Sequence, residues 1–367
     1  MIKIGLRNNL LYPSLLIIFT FLRRVLLVII SDILEFESSL SFLAFLMIFS
    51  EFIVGLIIYL YQSKIVSYQK MAYKDSKFKV YILIFIATFF DFVEFILTSY
   101  YFPKFENISK SLDLRLGSAL TLSSFIFSYF LLKTEVFNHQ KFSISIIFIC
   151  TLIIIIVEIS FYIFYEAISK RHFIIILLII ISLSFIGFQN NIEKYLLEVN
   201  FINPFHLLMV EGIFGILLSI IYSFIEDPIE NIVDFYHNNK KINFIYLVIC
   251  LSLFIILSGG RNGYKILTIR LYSPMTKAIS DFFFNPILII YYFFMGIDFK
   301  FENKKNILFF MLNLILSIII VFFGCVYSEL FIIYHFNLER DTHMEVSIRA
   351  SLIEDMPKDK ELLLMKE

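Results

Sequence analysis

Stretches of about twenty apolar residues recur from one end of this chain to the other, and little fits between them. A helix needs about 20 residues to cross ~30 Å of hydrocarbon. Runs of that kind fall near 10–30, 40–61, 80–102, 112–132, 142–165, 173–193, 205–225, 243–266, 275–296 and 306–335. They leave no room for a water-soluble domain, and only a polar tail, 336–367, follows. Composition agrees, with 59% of the residues hydrophobic and 17% charged, against about a quarter charged in soluble domains. That imbalance excludes a soluble enzyme. A nucleic-acid binder is excluded as well, because 31 basic and 31 acidic residues leave no cationic surplus for phosphate. The expected fold class is an all-α membrane protein with ten transmembrane helices.

Arg23-Arg24 interrupts the first run, so 4–22 is an alternative first span, and the two arginines are expected to snorkel toward headgroups. Lys3 and Arg7 ahead of an apolar stretch resemble a signal peptide. Phe-Leu-Arg-Arg stands where a small-residue cleavage site belongs, however, so an uncleaved helix is expected. The segment 62–79 holds Lys64, Lys70, Lys74, Lys77 and Lys79 against Asp75, whereas the preceding loop holds Asp32, Glu35 and Glu37 and no base. The positive-inside rule then puts both chain ends in the cytosol, although Lys304-Lys305 fall on the other side. Cys150, Cys250 and Cys325 lie in apolar runs without CxxC spacing and read as packing residues.

Chemistry is approached by elimination. The chain has no GxxxxGK[ST] loop, no HExxH and no GxSxG. No catalytic residue, metal or cofactor is therefore expected, and the chain does not read as an enzyme. A many-span protein without motor or catalytic cluster is most often a secondary transporter; a channel and a transport-inactive scaffold stay open.

Two short patterns point to an internal duplication. Glu51 precedes Gly55 by one helical turn in the second run, and Glu211 precedes Gly215 likewise in the seventh. The second and seventh runs are equivalents in a five-plus-five repeat, and an odd number of spans per repeat inverts the halves in the membrane. The expected units are a first repeat over 1–166, a second over 167–335, and a cytosolic tail over 336–367.

Ionisable groups cost roughly 2.5–3.5 kcal/mol each in mid-membrane on insertion scales, so those present normally face the bundle interior. Glu51, Arg115, Glu211, Arg261 and Asn262 are the main functional candidates, with Lys277 and Asp281 beside them. Arg261 and Lys265 share a helix face and offer two cations to an anionic group. Lys277 and Asp281 are four apart and either neutralise each other or line a site. Glu193-Lys194 reads as an interfacial pair and Glu158 as a helix–helix contact, while Asp91 and Glu94 call for a cation. Gly259, Gly260 and Gly263 either break the eighth helix around a site or permit close packing. Asn285-Pro286 should kink the ninth. On this reading Arg115, Arg261 and Lys277 counter an anionic substrate, and Glu51 and Glu211 brace the repeats or carry a coupling proton. A rival reading makes those two carboxylates the binding groups of a proton-coupled exporter of organic amines.

Several segments resemble a known group. Glu193-Lys194-Tyr195, Asn203-Pro204 and Glu211-Gly-Ile-Phe-Gly215 are similar to the signature of solute carrier family 35, subfamily F. Asn262, Thr268, Arg270, Ser273-Pro274, Thr276-Lys277 and Asp281 are similar to its next stretch, and Asp113-Leu-Arg115-Leu-Gly117-Ser118 and Ser50-Glu51-Phe52 to earlier ones. These proteins form a nucleotide-sugar-transporter-like, EamA-like branch of the drug/metabolite transporter superfamily. The resemblance covers most of the chain and is strongest over about 190–285. Arg23-Arg24 and Glu94 depart from it. It implies two inverted five-helix repeats, a central cavity, alternating access, and a small-molecule substrate handled in an internal membrane (Golgi, endosomal, lysosomal or vacuolar). A homodimer is compatible with it. In the tail, Asp359, Leu363 and Leu364 match an acidic dileucine pattern that a sorting adaptor reads, and Asn107-Ile-Ser109 is a glycosylation sequon.

Overall fold

The structure, a computed structural model, describes residues 2–4, 11–30, 40–65, 75–97, 112–165, 170–224, 233, 236–237, 241–294, 304–334, 338 and 342. The dileucine residues Asp359, Leu363 and Leu364, the Asn107 sequon and most of the Lys-rich loop lie outside them.

Hydrocarbon offers the backbone no hydrogen-bond partner, so an apolar chain satisfies itself as helix. Accordingly the chain is an all-α, multi-pass membrane protein, with one three-residue strand pair among the described residues. The helices are α1 (Leu11–Val28), α2 (Leu40–Ile65), α3 (Lys77–Ile96), α4 (Leu112–Leu116), α5 (Ser118–Leu131), α6 (Asn138–Tyr165), α7 (Lys170–Glu198) and α8 (Pro204–Ser223). They continue as α9 (Lys241–Leu271), α10 (Pro274–Phe282), α11 (Asn285–Phe294) and α12 (Lys304–Tyr327). Among the described residues eight helical segments are long and apolar enough to cross a membrane, α4–α5 and α10–α11 each counting as one. The two remaining long helices, α1 and α3, carry Arg23-Arg24 and Asp91 with Glu94 inside their apolar runs. Large apolar side chains cover the outside of the bundle: Phe130 is 70% exposed and Leu308 71%. Only lipid suits such a surface.

Strand β1 (Ile2–Ile4) pairs antiparallel with β2 (Phe331–Ile333), Lys3 opposite Ile332. The start of α1 and the end of α12 thus share one face, called here the strand face. Polar fastenings close that face. Tyr195 donates to Asp75 Oδ2 at 2.8 Å, and Asn203 donates to Gln62 at 2.9 Å. Lys194 donates to the Arg270 and Tyr272 carbonyls at 3.0 and 2.9 Å, occupying acceptors that α9 leaves open at its C-terminus.

Local chemistry explains where several helices begin. Asn203 accepts from the Phe205 and His206 amides with Pro204 next in line, and Ser273 accepts from Thr276 N ahead of Pro274. Both are N-caps followed by a proline that is pre-set for the first turn. The tightest seam joins α2 to α8. A Cβ at Gly55 would lie 2.5 Å from Met209 N, and one at Gly212 would lie 2.7 Å from Phe52 Cα, so backbone meets backbone there. Elsewhere α1 packs on α9, α3 on α7 and α8, α2 on α9, α5 on α7 and α10, and α6 on α12.

Two helices are interrupted. The span begun by α4 breaks at Gly117, and that begun by α10 breaks before Asn285. The second break falls where Asn285-Pro286 placed a kink; the first was not foreseen. Helix α9, by contrast, runs unbroken through Gly259, Gly260 and Gly263. Its glycines serve close approach: a Cβ at Gly260 would meet the Phe19 ring at 2.4 Å, and one at Gly259 would meet Val54 Cγ2 at 2.6 Å.

Candidate functional site: a charged cavity among the helices

Between the helices lies a cavity of about 710 Å³, a size that encloses small organic ligands. Gln189, Lys265 and Lys277 stand at its floor, toward the strand face. Its lining then rises to Ile30, Phe95 and Tyr292 at the far ends of α1, α3 and α11. Among the described residues the lining therefore extends toward the far ends of these helices, while the fastenings around Asp75, Lys194 and Asn203 lie across the strand face.

Its walls differ in sign. Helices α1, α9 and α10 contribute Arg23, Arg24, Arg261, Lys265 and Lys277, with Asp281 among them; α3 and α4 contribute Asp91, Glu94 and Asp113. Asp281 is shared, 2.8 Å from Lys277 Nζ and 3.5 Å from Arg261 Nη2. Lys265 sits 2.8 Å from Glu193 Oε1, behind the wall. Glu94 faces Arg261, Lys277 and Arg23 electrostatically. The two α1 arginines bond uncharged acceptors: Arg23 the Met47 sulfur at 3.2 Å, Arg24 the Asn285 Oδ1 at 3.0 Å. Asn285 in turn donates to the Leu114 carbonyl at 2.8 Å. A Cβ at Gly117 would sit 2.6 Å from the Asn285 amide nitrogen, so one asparagine fits against both helix breaks.

Of the residues expected from sequence, Arg261, Lys277 and Asp281 line the cavity together. Lys277 and Asp281 do both things once set as alternatives, pairing with each other and facing the cavity. Asn262 is buried beside the lining and accepts from Arg261 Nη1 at 3.1 Å. Arg115 is placed elsewhere. It is buried against α6, its guanidinium forked onto both oxygens of Glu158, with Nη2 to Oε2 at 3.2 Å. A charge neutralised inside the protein and absent from the lining does not counter a substrate, and Glu158 is its partner. Glu51 and Glu211 also lie outside the lining, buried at the α2–α8 seam. Glu193 and Lys194 are not a pair: successive residues of a helix point apart, and they bond Lys265 and Glu198 respectively.

Snorkelling is overturned for Arg23 and Arg24, which turn inward, and α1 is a wall of the cavity. Four apolar residues, 25–28, follow them before α1 ends, which places the pair well inside the helix. That depth was the available signal. Asp91 and Glu94 find their cations across the cavity rather than on their own helix.

No protein-family model matches the chain, and no curated protein is significantly similar to it.

Proposed function

We propose that this protein is a secondary transporter that moves a small polar, anionic metabolite by alternating access. The observation that carries the reading is the basic wall: Arg23, Arg24, Arg261 and Lys277 converge on one cavity, with Asp281 bonded to Lys277 and Arg261. Cations gathered at a cavity inside a bundle favour an anion from solution. The opposite wall, with Asp91 and Glu94, suits hydroxyl or amine donors on the same molecule. A phosphorylated or carboxylated metabolite with a polyol end, nucleotide-sugar-like in outline, matches both. Fastenings across the strand face, with the cavity lining running away from it, suit one end state of such a cycle.

On this reading the ten runs form two inverted five-helix repeats. The helix contacts support it. Exchanging α1 with α7, α2 with α8, α3 with α9, α5 with α10 and α6 with α12 turns the α1–α9 contact into α7–α3 and α2–α9 into α8–α3. The contacts α2–α8, α5–α10 and α6–α12 then map onto themselves. The same arrangement underlies the resemblance to the subfamily F carriers. That resemblance and the tail pattern also assign the protein to an internal membrane.

The test is counterflow uptake into liposomes containing the purified protein. The panel comprises phosphate monoesters, nucleotide sugars, nucleotides, dicarboxylates and organic amines. We expect trans-stimulated uptake of an anionic class and, for Arg24→Gln, a half-saturation concentration raised about tenfold, or ~1.4 kcal/mol. Uptake of amines alone would transfer the reading to an amine exporter. Folded protein inert to the whole panel would make it a scaffold.

A further inference from the structure

Behind the basic wall lies a second cluster that binding an anion does not use. Lys265 reaches out of the cavity lining toward Glu193, and the carboxyl groups of Asp91, Glu211 and Glu51 also surround it electrostatically. These groups come from every helix packed there: Glu51 from α2, Asp91 from α3, Glu193 from α7, Glu211 from α8 and Lys265 from α9. Four carboxyl groups thus share the Lys265 ammonium, and Arg261, also from α9, acts on Glu51 from further off.

The polar contacts confirm how spare the site is. Glu193 Oε1 takes Lys265 and the Gln189 amide, the latter at 2.8 Å, while Glu193 Oε2 and Glu211 Oε1 are buried without a hydrogen bond. Glu51 is 5% and Glu211 3% exposed, one helical turn from the Gly55 and Gly215 contacts that bring α2 and α8 together. A buried carboxylate lacking a cation costs several kcal/mol, so the cluster persists only with protons on some of its carboxyl groups. Glu193 holds the ammonium directly, and Asp91 has the cavity beside it. Glu51 and Glu211 have neither.

We propose that Glu51 and Glu211 form a proton-binding site and that Lys265 links its occupancy to the anion cavity, making the protein a proton–anion symporter. With the pair protonated, Glu51 and Glu211 draw less on Lys265, and more of its charge is felt in the cavity it lines. When the pair loses its proton to water, the new carboxylate draws on the same ammonium and the cavity holds an anion less well. The proton bond broken at the carboxyl oxygen is re-formed on water, and nothing else changes hands. Proton and anion therefore strengthen each other's binding reciprocally.

This inference rests on the transporter reading, and two measurements keep their failures apart. Infrared difference spectra of the full-length protein in bilayers, recorded across pH, need no substrate. A titrating carboxyl band is expected in the native protein, and its loss or reduction in Glu211→Gln and in Glu51→Gln. A spectrum indifferent to both substitutions overturns the site. The second measurement uses the panel anion with the largest counterflow and an inward gradient of one pH unit at clamped potential. The inside-to-outside anion ratio should approach about ten for native protein, the limit for one proton per anion across one pH unit, and fall to about one in either variant while counterflow continues. Native accumulation that ignores the gradient overturns the coupling while leaving transport intact. Variants inactive in both assays overturn the assignment of the pair, which is then architecture. Absence of counterflow throughout the panel brings down the transporter reading, and the coupling with it.

Discussion

Two of the arginines inside this bundle, Arg115 and Arg24, are held on opposite terms. Between α4 and α6, Arg115 is closed in with Glu158, 2% and 0% exposed, and its charge is spent within the protein. On α1, Arg24 bonds the neutral amide of Asn285 as it faces a cavity. One site welds two helices and the other leaves a charge to be answered from outside. Burial alone therefore does not mark a functional cation in a membrane protein; what the nearest oxygen belongs to does.

The sharpest way to break that comparison is to remove one half of the weld. Arg115→Met strands the Glu158 carboxylate and should lower stability by about 3–5 kcal/mol, while adding Glu158→Leu recovers most of it. Thermal unfolding of the two variants in detergent checks this, and equal stability of single and double variants would contradict the weld. Arg24→Gln, by the same measurement, should stay near native stability while affecting uptake as described above.

The next largest effect separates seam glycines from a spare one. Alanine is the better helix former by about 1 kcal/mol. Gly55→Ala and Gly212→Ala nevertheless force two backbones apart and should cost a net ~1–3 kcal/mol. Gly263, whose added Cβ would meet Val54 Cγ1 at an ordinary 3.6 Å, should gain stability or not change on the same substitution. If all three behave alike, the seam is not a close approach.

The smallest effect lies at the strand face. Hydrogen bonds from Lys79, then Tyr195 and Asn200, hold the Asp75 carboxyl at about 2, below its ordinary 3.8. A depressed value stabilises the fold fully above the ordinary one and loses that contribution as pH falls from about 3.8 to about 2. Melting temperature followed through that window should decline less for Asp75→Asn than for the native protein.

Which of these features were legible in the sequence depends on what each one requires. Apolar run length located the helices, because crossing hydrocarbon is a one-dimensional demand. The Glu51 and Glu211 patterns point to a duplication, because a glycine one turn from a carboxyl group marks the same face of both helices, but the seam between α2 and α8 is visible only in the packing. Whether a residue faces lipid, neighbour or cavity depends on how its helix is rotated, which no local pattern reveals. For that reason Arg115 was read as ligand-facing and Arg23 and Arg24 as lipid-facing. Glu158 is 43 residues from its arginine, and nothing along the chain joins them. Glycine in α9 leaves two outcomes open in the sequence, a break or a close approach, and Phe19 on another helix decides for the latter.

Asn285 has one more consequence. Its amide holds the loose carbonyl of α4 and the guanidinium of α1 while standing at the first residue of α11. Neither interrupted span can swing alone without tearing bonds that belong to the other. On the transporter reading proposed above, a hinge shared in this way makes the two interrupted spans move as one piece.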